Sequence, residues 1–344
     1  MPDSEFYARS TTRPERVAVV GAGSWGTALA VHCARAGHEV VLWGRDGDRM
    51  TAMRAANENT AYLPDAPFPD SLEPTSDSHR ALADATIVIS AVPSRYTRTM
   101  WESMAVELGA EVHLVSATKG IEEHSGLRMS EVLEQAVGRV QSISSISGPS
   151  FARELADGHP TAVTLGCVDP GAARVVQESF NAGPLRVYRS QDLTGVEIGG
   201  ALKNVIAIAA GIVEGIGFGS NTQAALISRG LKEVTNLAVA CGAQSATLMG
   251  LAGLGDLVLT CTGPLSRNRG VGVEIGRGRS LDAVIESMQM VAEGVVTTGS
   301  SLELAQRLGV EMPIAESVRA VLYEGLDPRA GIERLLTREL VEEW

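Results

Sequence analysis

The chain has 344 residues, enough for about two domains and a large buried core, and its 44% apolar, 20% charged composition is that of a folded protein. Four cysteines, Cys33, Cys167, Cys241 and Cys261, stand far apart with no CxxC pair. A zinc site, a disulfide framework and redox-thiol chemistry are therefore set aside, no metal is expected, and reduced thiols fit the cytoplasm. The net charge of −12 opposes attraction to nucleic acid or anionic lipid, so an anionic ligand needs a local basic pocket.

The opening Met1-Pro2-Asp3-Ser4-Glu5-Phe6 is acidic and lacks an apolar stretch of signal-peptide length, and residues 1–14 are expected to form a flexible lead-in. No membrane insertion is expected, since the longest apolar run, residues 205–213, is far short of a span. Residues 16–20 read as a buried strand that enters Gly21-Ala22-Gly23-Ser24-Trp25-Gly26, then a helical run over 27–36 closed by Gly37, then a second strand over 39–43. This is a βαβ unit around GxGxxG. Its Gly21, Gly23 and Gly26 permit the tight turn and let backbone N–H groups approach a dinucleotide pyrophosphate.

After the second strand the chain reads Trp43-Gly44-Arg45-Asp46. An acid at this place bonds the ribose 2′-hydroxyl of NAD, whereas Arg45 suits a 2′-phosphate. NADP is favoured without excluding NAD, because Asp46 is one residue away; an exposed loop arginine with no role is the alternative. Further strands are expected at 85–90, 112–116 and 142–147. The first two run into Pro93 and Lys119, which should face the cofactor cleft at the C-terminal edge of an open parallel sheet. The third runs into Gly148-Pro149-Ser150, where function and turn geometry explain the residues equally well.

All six histidines precede residue 160, so a second domain has to draw its acid or base from Lys, Asp or Glu. Of 29 basic residues only Lys119, Lys203 and Lys232 are lysines; Lys232 has no motif around it. After about residue 190 helical, glycine-rich sequence replaces the strand–helix alternation. Residues 195–215 are apolar nearly all round, as in a helix buried on all sides, yet they contain Lys203 and Asn204. A buried lysine is costly unless paired or facing a polar cleft. Asp256, set in Gly253-Leu254-Gly255-Asp256-Leu257, is the expected partner, with a helix N-cap as the competing reading. Residues 260–269 group hydroxyls, an amide, Arg267 and Arg269, the composition of a phosphate pocket or of a basic surface turn.

From about Val17 to Tyr323 the sequence resembles the bacterial NAD(P)-dependent glycerol-3-phosphate dehydrogenases. The motifs that carry the resemblance, in order, are GAGSWGTALA (21–30), ATKGIE (117–122), SGPSFARELA (147–156), GVEIGGALKNV (195–205), GLAGLGDLVLTC (250–261) and LSRNR (265–269). The resemblance implies an α/β Rossmann-like N-terminal domain and an all-helical C-terminal domain of the 6-phosphogluconate dehydrogenase C-terminal-like kind. The expected division is 15–190 for the dinucleotide and 191–344 for substrate and catalysis. It also implies interconversion of dihydroxyacetone phosphate and sn-glycerol 3-phosphate with NADPH or NADH, supply of phospholipid synthesis, and a homodimer.

Residue by residue, the resemblance makes Lys203 the acid/base and Asp256 its charged partner, both near the substrate. Ser266, Arg267 and Asn268 become substrate ligands, with Arg267 also close to the cofactor. Lys119 touches both substrate and cofactor, Gly148 and Ser150 the substrate, and Ser24, Trp25, Arg45, Ala152, Val291 and Glu293 the cofactor. Two alternatives remain. Another two-domain dehydrogenase, of 3-hydroxyacid or 6-phosphogluconate type, is opposed by the Lys-Asn helix and the Ser-Arg-Asn segment. A non-catalytic dinucleotide sensor would be expected to have lost Lys203 or Asp256.

Overall fold

Strand β1 (Arg16–Val20) sends alternate side chains into two cores, as the period of a strand requires. Val17 and Val19 pack with Ala28, Leu29 and Val31 of the helix Ser24–Arg35, whereas Ala18 and Val20 pack with Trp101, Leu114 and Leu133 on the opposite face. In this computed structural model, which describes residues 14–288, 292–339 and 342, the result is a sheet covered by helices on both sides. The remaining strands are β2 (Glu39–Trp43), β3 (Leu72–Thr75), β4 (Ile87–Ser90), β5 (His113–Ser116), β6 (Ser142–Ser147), β7 (Thr161–Cys167) and β8 (Leu185–Ser190). Their order is β3-β2-β1-β4-β5-β6-β7-β8, and neighbours run parallel except β6 against β7. Because β1 lies between β2 and β4, the chain reverses its direction of travel there, which opens a crevice at the C-terminal ends of the strands.

Strands β3, β7 and β8 were not foreseen. Pro74 disguises β3, and it is tolerated because β3 is an edge strand whose outer N–H groups need no ladder partner. The first helix begins at Ser24, three residues before the expected start, so Gly26 lies inside its first turn.

The chain divides into two compact units, residues up to Lys119 with Leu127–Glu197, and Gly120–Gly126 with Ile198 onward. From Leu193 on, the described residues form helices joined by turns and no strand. The helix Leu193–Ile216 is 24 residues long, far beyond its 205–213 apolar centre, and is long and apolar enough by length and composition to cross a bilayer, as is the stretch Ser245–Thr262. Its apolar window is buried throughout, as befits the central helix of a folded unit. Glycines set its neighbours close. A Cβ on Gly211 would lie 2.0 Å from the Arg269 carbonyl oxygen, and one on Gly272 2.0 Å from that of Ile208.

Candidate active site

In the first unit, space dictates two of the three motif glycines. Gly21 has φ +117°, and a Cβ there would lie 2.6 Å from the Ala91 carbonyl oxygen; one on Gly26 would lie 2.0 Å from that of Gly21. Gly23 differs: a Cβ there would meet nothing within 4 Å, so its bare backbone faces an opening. Gly23 is also the N-cap of Ser24–Arg35, which has no side-chain cap and no acid in its first turn. A helix start without a side-chain cap, the positive end of the helix dipole and an open approach suit a pyrophosphate. Fully buried Asn59 braces the loop, its Nδ2 donating to the Ala22 carbonyl (3.1 Å) and Thr27 Oγ1 (2.8 Å), and Ser24 Oγ donates to the Tyr62 carbonyl at 2.5 Å. Trp25 and Ala152 pack against the same core as Ala22, and the Trp25 indole nitrogen is buried without a partner.

At the end of β2, Arg45 is exposed and lies 5.5 Å from the centroid of the Tyr96 ring. Asp46 is committed elsewhere: it caps the helix Gly47–Ala56, Oδ1 accepting from the Arg49 N–H at 3.0 Å. Parallel pairing of β5 with β6 brings Lys119 beside Gly148, whose carbonyl accepts from Lys119 Nζ (3.5 Å) and Ser150 Oγ (2.8 Å). Gly148 has φ +148°, and a Cβ would strike Val163 Cα at 2.9 Å, so turn geometry alone requires glycine there.

In the second unit, Lys203 Nζ is paired with Asp256 Oδ1, and both side chains are buried, with 7% and 0% of each residue exposed. Asp256 stands in the first turn of Asp256–Thr262, whose cap is Gly255, so its carboxylate serves the lysine and not the helix end. Thr260 Oγ1 donates to the Asp256 carbonyl at 2.6 Å and lies 3.4 Å from Asp256 Oδ1. Burial pushes the adjacent Cys261 thiol up to about 12, with Lys203 opposing and Asp256 adding, so it is no nucleophile at neutral pH.

Asn204, next to Lys203 in sequence, belongs to a chain of amides. Asn268 Nδ2 donates to Asn204 Oδ1 (3.0 Å), and Asn268 Oδ1 accepts from the Gly294 N–H (2.9 Å). Ser266 caps the helix Arg267–Gly276 by accepting from the Arg269 N–H, and Arg269 is paired with Glu214. Arg267 opens that helix; burial lowers its guanidinium pKa while the charge of Glu293 raises it, and it remains a cation. Glu293 begins the helix Glu293–Leu308, and Val291 lies outside the described residues.

A family model for the N-terminus of NAD-dependent glycerol-3-phosphate dehydrogenase matches residues 16–173, and its C-terminal counterpart matches residues 192–333. The chain belongs to the NAD-dependent glycerol-3-phosphate dehydrogenase family. It is 51% identical over 328 residues to the glycerol-3-phosphate dehydrogenase [NAD(P)+] of Thioalkalivibrio sulfidiphilus, covering 95% of this chain and 98% of that one. The enzyme of the same name from Geobacter sp. (strain M21) is 49% identical over 331 residues, with 96% and 99% covered. Among solved structures, glycerol-3-phosphate dehydrogenase (gpsA) from Coxiella burnetii has a TM-score of 0.91 at 39% identity, covering 94% of this chain and 99% of that one. The Rossmann-like sheet followed by a helical C-terminal domain is therefore this family's fold.

For this family member, the structure gathers the sequence candidates into two sets. Gly21, Gly23, Ser24, Trp25, Gly26, Arg45, Lys119, Gly148, Ser150 and Ala152 belong to the first unit, and Lys203, Asp256, Ser266, Arg267, Asn268 and Glu293 to the second. Sequence reasoning gave no role to Asn59, Asn204 or Thr260. Asn204 was within reach, since a buried amide in an apolar helix demands a partner as a lysine does. Asn59 sits in a polar segment with no periodicity and gave no signal.

Proposed function

We propose that this protein is a cytoplasmic, homodimeric glycerol-3-phosphate dehydrogenase that interconverts dihydroxyacetone phosphate and sn-glycerol 3-phosphate, prefers NADPH to NADH, and supplies the backbone of glycerophospholipids. Residues 15–190 serve the dinucleotide and 191–344 the substrate. The observation that carries the reading is the Lys203–Asp256 pair, two opposite charges buried together in the second unit, a costly arrangement that fold stability alone does not favour.

The glycine loop, with Ser24, Trp25 and Ala152, holds the cofactor, and Arg45 takes the 2′-phosphate while Asp46 is occupied as a cap. The nicotinamide, when bound, supplies or accepts the hydride at C2. Lys203 donates a proton from Nζ to the alkoxide oxygen that develops during reduction, and in oxidation the neutral amine removes it from the hydroxyl. Asp256 holds Nζ in place and favours its charged form, so the acid is loaded before reduction. Lys119 contacts substrate and cofactor and polarises the carbonyl, and Gly148 and Ser150 are further substrate contacts. Arg267, with Ser266 and Asn268, anchors the phosphate, and that remote binding orients C2 for transfer. Glu293 sets the charge balance of Arg267 beside the cofactor.

The test is a substrate panel under NADPH oxidation. Dihydroxyacetone phosphate should turn over, and unphosphorylated dihydroxyacetone should lose orders of magnitude in kcat/KM. Turnover of a 3-keto acid in preference to dihydroxyacetone phosphate would overturn the assignment.

A further inference from the structure

Two exposed arginines share one exposed aromatic ring beside the glycine loop. Arg45 follows β2, and Arg95 and Tyr96 follow β4 in the first turn of the helix Ser94–Met104. Since β1 lies between those two strands, the segments leaving them flank the loop that leaves β1. The Arg45 and Arg95 guanidinium carbons lie 5.5 and 4.6 Å from the Tyr96 ring centroid. Among the described residues neither arginine makes an ion pair, although the chain carries a net charge of −12.

Of the carboxylates near these segments, three are engaged elsewhere. Asp46 caps Gly47–Ala56, Asp77 caps Ser78–Leu82, and Glu73 is paired with both Arg54 (3.0 Å) and Arg80 (2.7 Å). Two like charges gathered at one ring repel, and the quadrupole of a single tyrosine offsets that only in part. A phosphate monoester carries close to two negative charges at neutral pH and bonds guanidinium forks in plane, so it matches such a pair in charge.

We propose that Arg95 and Tyr96 complete, with Arg45, a clamp for the 2′-phosphate of the dinucleotide, and so determine cofactor specificity. The proposal rests on the dinucleotide reading of the glycine loop. Tyr96 acts as a positioning residue, its ring within cation–π reach of both guanidinium groups. NADH has no group to fill the clamp.

The experiment measures dissociation constants for NADPH and NADH by cofactor fluorescence on the native protein, Arg95→Gln, Arg95→Lys and Tyr96→Leu. Arg95→Gln should weaken NADPH about ten- to a hundred-fold, the range of one charge-assisted hydrogen bond. Arg95→Lys should recover part of that loss, and Tyr96→Leu should weaken NADPH about three-fold. NADH should change less than about two-fold in each variant, which also shows that the variants are folded. An unchanged NADPH to NADH ratio in Arg95→Gln, or equal losses for both cofactors, would overturn the clamp while leaving the dinucleotide reading intact. Failure of the native protein to bind either dinucleotide would overturn that reading, and the clamp with it.

Discussion

Replacing Asp256 by Asn keeps the shape of the side chain and removes its charge, so Lys203 stays buried without the carboxylate it is paired with. Both residues are almost wholly inaccessible, and Thr260 bonds the main-chain oxygen of residue 256, a contact the substitution spares. Breaking one half of a buried pair costs about 3–5 kcal/mol when the survivor stays charged. The survivor has an escape, which is to lose its proton; at pH 7, some 3.4 units below an ordinary lysine pKa, that costs about 4.6 kcal/mol. The destabilisation of Asp256→Asn at pH 7 should therefore lie between about 3 and about 4.6 kcal/mol. At pH 9.5 the escape costs only about 1.2 kcal/mol, so the deficit should shrink to near that value. Urea unfolding of native and variant protein at both pH values measures this, and the double variant Lys203→Met/Asp256→Asn should be destabilised by less than the sum of the singles. A deficit below about 1 kcal/mol at pH 7, or one that does not change with pH, would refute the picture of a mutually dependent buried pair.

Two further substitutions separate space from function in the glycine loop. Gly26→Ala forces a Cβ against the Gly21 carbonyl and should disrupt the loop, whereas Gly23→Ala meets open space and should cost about 1 kcal/mol or less of stability, yet weaken NADPH binding at least about ten-fold. Thermal melting and a fluorescence titration of each variant check this, and tight NADPH binding by Gly23→Ala would remove the pyrophosphate from that opening. A third prediction concerns Glu233, whose buried carboxylate accepts the N–H groups of Ile314 and Ala315, each at 2.9 Å, at the start of the helix Pro313–Tyr323. Burial pushes its pKa from 4.5 up to about 7 against those two bonds, so between these values the folded chain holds a proton that the unfolded chain has released. That contribution to stability is full below pH 4.5 and is lost as pH rises toward 7, by about 3 kcal/mol; Glu233→Gln should abolish this slope in urea unfolding between pH 5 and 7.5, and an unaltered slope would reject Glu233 as its source.

The parts of this molecule that the sequence made legible are those with a local signature. An apolar run followed by three spaced glycines defines β1, its loop and its helix without tertiary information. Lys203 stood out because one cation interrupts an apolar helix, and Asp256 because one carboxylate interrupts a stretch of small and apolar residues. Strand β8, Leu-Arg-Val-Tyr-Arg-Ser, alternates buried and exposed positions and carried a readable period that was passed over. By contrast, Asn268 bonds Asn204 across 64 residues of sequence, and Asn59 reaches the glycine loop from 37 residues away; only folding brings them together. Asp46, read from the sequence only as a possible ribose ligand, instead caps the next helix through the Arg49 N–H, a local signal that the functional reading did not use.

The role of Lys203 as proton donor is tested most directly by Lys203→Arg, which retains a cation beside Asp256 but cannot give up a proton near neutral pH. Initial rates of NADPH oxidation with saturating dihydroxyacetone phosphate should fall about 10²- to 10⁴-fold relative to the native protein, with the dissociation constant for NADPH unchanged. A variant that keeps a native rate would contradict the assignment and place the proton donor elsewhere.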